Sequence, residues 1–285
     1  MTDLANRQAP YLEQPVAGLP GRPPRVPILM YHEITAQPRS AGHLAVAPDD
    51  FDEQLAYLRA SGYTTLTAAE LVQGMAGQAV EWPAKPVVLT FDDGFADFHA
   101  AALPLLQRHG CTATLFVTTG WVADAEPAAA AGAPCAMLCW SQIEEASAAG
   151  IEIGAHSHHH PQLDQLGGDL LSQELEVSKT MLEDRLGVPV TGLAYPFGYS
   201  NSQVRAAASA AGYRYACVVG NRLIGKRTDR FALPRLTIGR LTSMQSFSQI
   251  VHGERLPPEF LAYRTMTKGW SAVRQARSLL NRIAL

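Results

Sequence analysis

Short, almost continuous apolar runs alternate with amphipathic stretches along most of this chain. Val26–Tyr31 and Pro86–Phe91 are apolar on successive positions, the pattern of strands covered on both faces. Tyr63–Leu66, Thr112–Val117, Ile151–Ala155, Gly192–Tyr195, Tyr213–Val219 and Leu233–Ile238 read as further short strands. Between them, Phe51, Leu55 and Leu58 fall on one face of a helix, capped by Asp49 or Asp50, that reaches about Ser61 and stops at Gly62. Ala68–Met75, Ala100–His109, Trp140–Ala149, Gly168–Leu186 and Ser202–Ala211 carry the same helical period, two of them closed by Gly110 and Gly187. Alternation of strand and helix predicts an α/β fold with a parallel sheet. About seven such strands favour a closed, distorted barrel over an open sheet. No Gly-x-Gly-x-x-Gly follows an early strand, so dinucleotide binding has no support.

The expected organisation is a flexible segment over residues 1–25, a barrel over 26–240 and a helical extension over 241–285. Ala123–Ala136, rich in Ala, Pro and Gly, reads as a surface insertion. With 285 residues, 47% hydrophobic and 17% charged, a large core is available and wholesale disorder is excluded. A net charge of −3 argues against a nucleic-acid binder. No apolar run approaches the roughly 18 residues of a membrane span. Residues 1–25 lack the basic-then-apolar order of a secretion signal, so the expected location is the cytoplasm. Cys111, Cys135, Cys139 and Cys217 read as unpaired thiols. Tyr263–Leu285 carries five basic residues and no acidic one, with Trp270, Val273, Leu280 and Ile283 on one helix face. Docking of that helix on the barrel is the favoured reading; peripheral contact with an anionic membrane is the alternative.

Two motifs carry chemistry. Thr90-Phe91-Asp92-Asp93-Gly94 stands at the end of a buried strand, where neighbouring side chains point in opposite directions. Two adjacent buried carboxylates repel unless a cation or a proton lies between them. A plain Asp-Asp-Gly turn is the competing reading. His156-Ser157-His158-His159-His160-Pro161 also follows a strand, and its first and last histidines lie four apart. Taken alone, it is equally a solvated loop or a loose surface metal trap. Together the motifs offer Asp93, His156 and His160 as three ligands for zinc or a similar metal, with positions left for water and substrate.

On these residues the chain resembles the polysaccharide deacetylase family, the NodB-type metal-dependent carbohydrate esterases, over about Val26 to Ile238. The resemblance implies a distorted (β/α) barrel of about seven parallel strands with its site at their C-terminal ends. It implies hydrolysis of an N-acyl group, acetyl above all, on an amino sugar of a polysaccharide, oligosaccharide or lipid-linked glycan. It also implies one divalent metal ion: zinc first, then cobalt, nickel, manganese or iron. In this comparison Asp93, His156 and His160 match the metal ligands and Asp92 the general base. Tyr195-Pro196-Phe197-Gly198 matches the third motif, whose aromatic backbone N–H, here that of Phe197, faces the oxyanion. That motif usually opens with an arginine that orients the base, but Ala194 stands here. Arg235 is the candidate substitute, or an ordinary surface arginine. The usual late Leu-x-His is missing, and His32 after the first strand is the candidate general acid. This placement resembles the permuted subgroup typified by poly-N-acetylglucosamine deacetylases. Tyr31, Tyr195 and Trp140 are candidate substrate contacts, and His158 and His159 candidate pocket or supporting residues. A catalytically silent glycan-binding module and a hydrolase of another linear or cyclic amide are the rival readings.

Overall fold

The computed structural model describes residues 25–38, 42–78, 82–125, 133–225 and 227–253, together with Leu256 and Phe260. Eight strands alternate with helices: β1 (Ile28–Tyr31), α1 (Pro48–Ala60), β2 (Thr64–Leu66), α2 (Ala68–Met75), β3 (Pro86–Phe91), α3 (Leu103–His109) and β4 (Thr114–Val117) come first. Then follow α4 (Trp140–Ala148), β5 (Glu152–Ala155), α5 (Gly168–Leu186), β6 (Gly192–Ala194), α6 (Ser202–Ala210), β7 (Tyr215–Val219), β8 (Leu233–Thr237) and α7 (Met244–His252). Seven strands close a ring of parallel pairs in the order β1-β8-β7-β6-β5-β4-β3, and β3 returns to β1. The eighth, β2, pairs only with the first half of β3, Thr64 to Leu66 against Pro86 to Val88. The fold is a distorted (β/α)7 barrel.

Strand parity decides what each side chain does. Leu29, Tyr31, Val87, Leu89, Phe91, Leu115, Val117, Ile153, Leu193, Ala216 and Leu236 pack outward, in the layer shared with the helices. Ile28, Val88, Phe116, Ala194, Tyr215, Cys217 and Leu233 fill the barrel interior. That interior is narrow: a Cβ on Gly154 would collide with the Phe116 ring, and one on Gly192 with Tyr215. Carried past the strand ends, the same inward parity delivers His32, Asp92 and His156 to the C-terminal mouth, and Arg235 points inward from within β8.

Some expected boundaries shift for local reasons. α1 begins at Pro48 with Ala47 as its cap; Asp49 and Asp50 lie in the first turn, where they favour the positive end of the helix dipole. The stretch before α3 opens as a π-helical turn over Phe98–Ala102, with the Leu103 N–H bonded to Phe98 O. Pro104 follows at once and has no N–H to continue an α-helical ladder. Residues 1–24, half of the expected insertion (126–132) and the basic 263–285 tail lie outside the described residues. Among the described residues, no helix is long and apolar enough to cross a membrane.

Candidate active site

Asp92 follows β3 with its carboxylate turned into the barrel. Arg235, fully buried on β8, meets it in a two-pronged pair, Nη1 to Oδ1 at 2.5 Å and Nη2 to Oδ2 at 2.7 Å. The guanidinium lies 5.6 Å from the centre of the Phe116 ring, and Nη1 also reaches Thr90 Oγ1 at 3.3 Å. Burial pushes the Asp92 carboxyl up, but the charge and hydrogen bonds of Arg235, together with His156 and His32, outweigh it and hold the group below its ordinary value. Asn221, with φ of 44°, ties the ends of β7 and β8 together. Its N–H donates to Arg235 O and its Oδ1 accepts from the Thr237 N–H.

By parity Asp93 should face away from Asp92. A left-handed backbone, with φ of 74°, swings it to the mouth as well. Its Oδ1 lies 3.3 Å from His156 Nε2 and 3.3 Å from His160 Nε2. His156 Nδ1 is 2.8 Å from Ala194 O, so that nitrogen carries the hydrogen and Nε2 offers a lone pair towards Asp93. Ala194 thus has a use of its own, through its carbonyl, while the arginine that meets Asp92 arrives from β8. One ligand atom from each of Asp93, His156 and His160 lies within 4.8 Å of the others. Asp93 Oδ1 is buried and makes no hydrogen bond among the described residues. Two imidazole nitrogens and one such oxygen are a donor set that fits a zinc-type divalent cation. Burial raises the Asp93 carboxyl, and His156, His160 and His32 together more than reverse this, holding it far below the usual range. Burial lowers His156, and Asp92 and Asp93 together raise it above an ordinary histidine.

His32 stands opposite, its Nε2 4.0 Å from Asp92 Oδ2. Burial lowers its pKa against the pull of Asp93 and Asp92. Its buried Nδ1 has no hydrogen-bond partner among the described residues. Phe197 sits in the Pro196–Gly198 turn with φ of 60°, its side chain 49% exposed. The Phe197 ring lies 4.8 Å from that of His160 and 5.8 Å from that of Tyr199, stacked on the latter. His32, Asp92, Asp93, His156, His160 and Phe197 all line one cavity of about 610 Å³.

Three candidate substrate contacts belong elsewhere. Tyr31 is outward by parity, buried beneath α1, where its OH donates to Gln54 and its ring stacks on Phe91. Tyr195 is outward too, with its OH donating to Phe231 O. Trp140 is buried at the start of α4 under the Arg185 guanidinium. None of the three lines the cavity, so they are corrected to core residues. Sequence reasoning missed Trp121, His43, Leu44 and Tyr199, which do line it. Trp121 covers His160 with ring centres 4.8 Å apart. His43 and Leu44 come from the short turn after β1 and carry no sequence signal. His158 pairs with Thr119 and His159 with Glu174, so both support the ligand loop.

A (β/α)7 barrel with a paired carboxylate and a carboxylate–imidazole triad at its C-terminal mouth has its candidate site where such barrels carry their active sites. Residues 79–216, just under half of the chain, match the model of the polysaccharide deacetylase family. A putative polysaccharide deacetylase of Bacillus subtilis (strain 168) is 27% identical over 230 residues, 81% of this chain and 77% of that protein. The poly-beta-1,6-N-acetyl-D-glucosamine N-deacetylase of Escherichia coli (strain K12) is 30% identical over 94 residues, 33% of this chain and 14% of that protein. Among solved structures, the Streptococcus pyogenes deacetylase PplD in complex with acetate superposes with a TM-score of 0.72 at 29% identity. That match covers 81% of this chain and 99% of the other.

Proposed function

We propose that this protein hydrolyses the N-acetyl group of an amino sugar in a glycan, with one divalent metal ion, zinc in first place, held by Asp93, His156 and His160. The observation that carries the reading is Asp93 Oδ1, buried without a hydrogen bond among the described residues yet 3.3 Å from two imidazole nitrogens. In that place a divalent cation polarises an amide carbonyl and makes a water molecule more acidic. Asp92, kept anionic by Arg235, takes the proton of the attacking water. The Phe197 N–H donates to the oxygen that gains charge as the carbonyl carbon becomes tetrahedral. Protonated His32 gives its proton to the departing nitrogen, which otherwise leaves as a poor amide anion. Trp121, Phe197 and Tyr199 form an aromatic wall suited to the apolar face of a sugar ring.

The rival reading, a silent glycan-binding module, drew its support from Ala194 in the usual arginine position. Arg235 on Asp92 removes that support, because binding alone requires no oriented base. The test is acetate release from N-acetylated amino sugars of increasing chain length and from a lipid-linked saccharide, using metal-depleted protein re-supplied with zinc. Release that requires the metal is expected. Fully metallated protein that releases acetate from none of these substrates contradicts the proposal.

A further inference from the structure

Glu174, on α5, lies in none of the motifs, yet it holds the loop between two of the proposed ligands. That loop leaves β5 at His156 and turns through two left-handed residues, Ser157 (φ 63°) and His160 (φ 59°). Successive N–H groups in such a turn make a concavity that attracts an anion. Here the N–H groups of His158 and His159 both donate to Glu174 Oε2, at 2.9 and 2.8 Å. His159 Nδ1 lies 2.7 Å from Glu174 Oε1, and the carboxylate side chain is only 12% exposed. The opposite side of the loop is tied to the segment after β4: Gly120 N–H donates to His158 O at 2.8 Å, and Thr119 Oγ1 meets His158 Nδ1 at 2.8 Å. A Cβ on Gly120 would collide with His158 O, so the two segments have no slack between them.

We propose that Glu174 is a positioning residue for the metal site. It acts through the backbone of residues 158 and 159 to fix His160 relative to His156, and so sets metal affinity. The inference rests on the proposed metal ligands, and on them alone. Charge-assisted bonds to two adjacent N–H groups are strong, and their loss lets a loop with two left-handed residues relax. Partners of this kind behind metal ligands typically govern affinity by about 10- to 100-fold.

The test is zinc affinity by competition with a chromophoric chelator, together with the visible spectrum of cobalt-substituted protein. Glu174→Ala should raise the zinc Kd at least ~10-fold and alter the cobalt spectrum. Glu174→Gln, whose amide oxygen still accepts from both N–H groups, should restore most of the affinity. Lys179→Met on the same helix is the structural control: it loses contacts to Glu183 and Val190 O and should lower the melting temperature with Kd unchanged. Folded Glu174→Ala with wild-type Kd and cobalt spectrum overturns the inference. If that variant does not fold, wild-type Kd in the shorter Glu174→Asp overturns it equally. Wild-type protein that binds no zinc removes the metal site and this inference with it. Tight, Glu174-dependent zinc binding without acetate release leaves the inference standing and removes only the substrate reading.

Discussion

At the floor of the barrel, Glu152 opens β5 and its carboxylate is satisfied by donors of the fold: Ala69 N–H at 3.0 Å, Thr114 Oγ1 at 2.8 Å and Tyr215 OH at 2.8 Å. At the mouth, Asp93 Oδ1 is also buried but faces two imidazole nitrogens and accepts no hydrogen bond among the described residues. The backbone differs in the same sense. Helix-to-strand turns at the floor place glycine at left-handed positions, among them Gly62, Gly110, Gly150, Gly187 and Gly212. At the mouth, Asp93, Ser157, His160, Phe197 and Asn221 hold that conformation despite their side chains. A left-handed non-glycine residue costs about 1–2 kcal/mol. Several of these side chains have evident work: Ser157 Oγ accepts from His160 N–H, Asn221 Oδ1 accepts from Thr237 N–H, and Asp93 and His160 face one another. The floor is built for stability, whereas the mouth gives up stability for the placement of charged groups.

The largest expected effect is on turnover. Asp92→Asn should lower acetate release by about 10³-fold while zinc binding stays as in the wild type, read by steady-state kinetics and metal analysis of one preparation. Activity in Asp92→Asn near the wild-type level would end the proposed division of labour between the two adjacent carboxylates. Next comes Arg235→Met, which strands the buried Asp92 charge and should cost about 3–5 kcal/mol in urea unfolding. Glu152→Gln at the floor keeps an acceptor for its donors and should cost about 1–2 kcal/mol. Equal losses at the two ends would erase the contrast.

A pH dependence separates the ends further. Asp97, after β3 on the mouth side, has its carboxyl pushed up to about 6 by burial and then by Glu33. The folded state therefore holds this proton more tightly than the unfolded state. The associated stability is complete below about pH 4 and is lost as pH rises through about 6, amounting to roughly 2–3 kcal/mol. Asp97→Asn should match the wild type near pH 4 and exceed it by that margin at pH 8, read from unfolding midpoints; a constant difference across this range would count against it. The smallest effect belongs to Gly187→Ala. A Cβ there meets no atom, so only the left-handed backbone, with φ of 67°, resists it. A loss of about 1 kcal/mol with unchanged activity is expected.

Much of this arrangement is legible before any coordinates. The apolar runs locate the strands, and parity from Ile28 and Met30 carries His32 inward, just as Val88 and Thr90 carry Asp92. The same parity sends Tyr31 and Tyr195 outward, into the layer shared with the helices. Asp93 shows where parity stops, because a positive φ at a non-glycine residue has no local sequence mark. Arg235 could be nominated but not placed, since its pairing with Asp92 depends on the β8–β1–β3 closure of the ring. Trp121, His43 and Tyr199 reach the cavity through loop paths that no periodicity encodes. Glu174 is hidden for a related reason: on α5 it resembles any surface glutamate until the helix packs against the loop.

The most direct test of the mouth as a metal site with a separate base is zinc content per chain in the wild type, Asp92→Asn and Asp93→Asn after identical metal depletion and reloading. One zinc per chain in the wild type and in Asp92→Asn, with most of it lost in Asp93→Asn, is the predicted result. Equal zinc in all three, or loss from Asp92→Asn with retention in Asp93→Asn, would contradict the assignment of the two carboxylates.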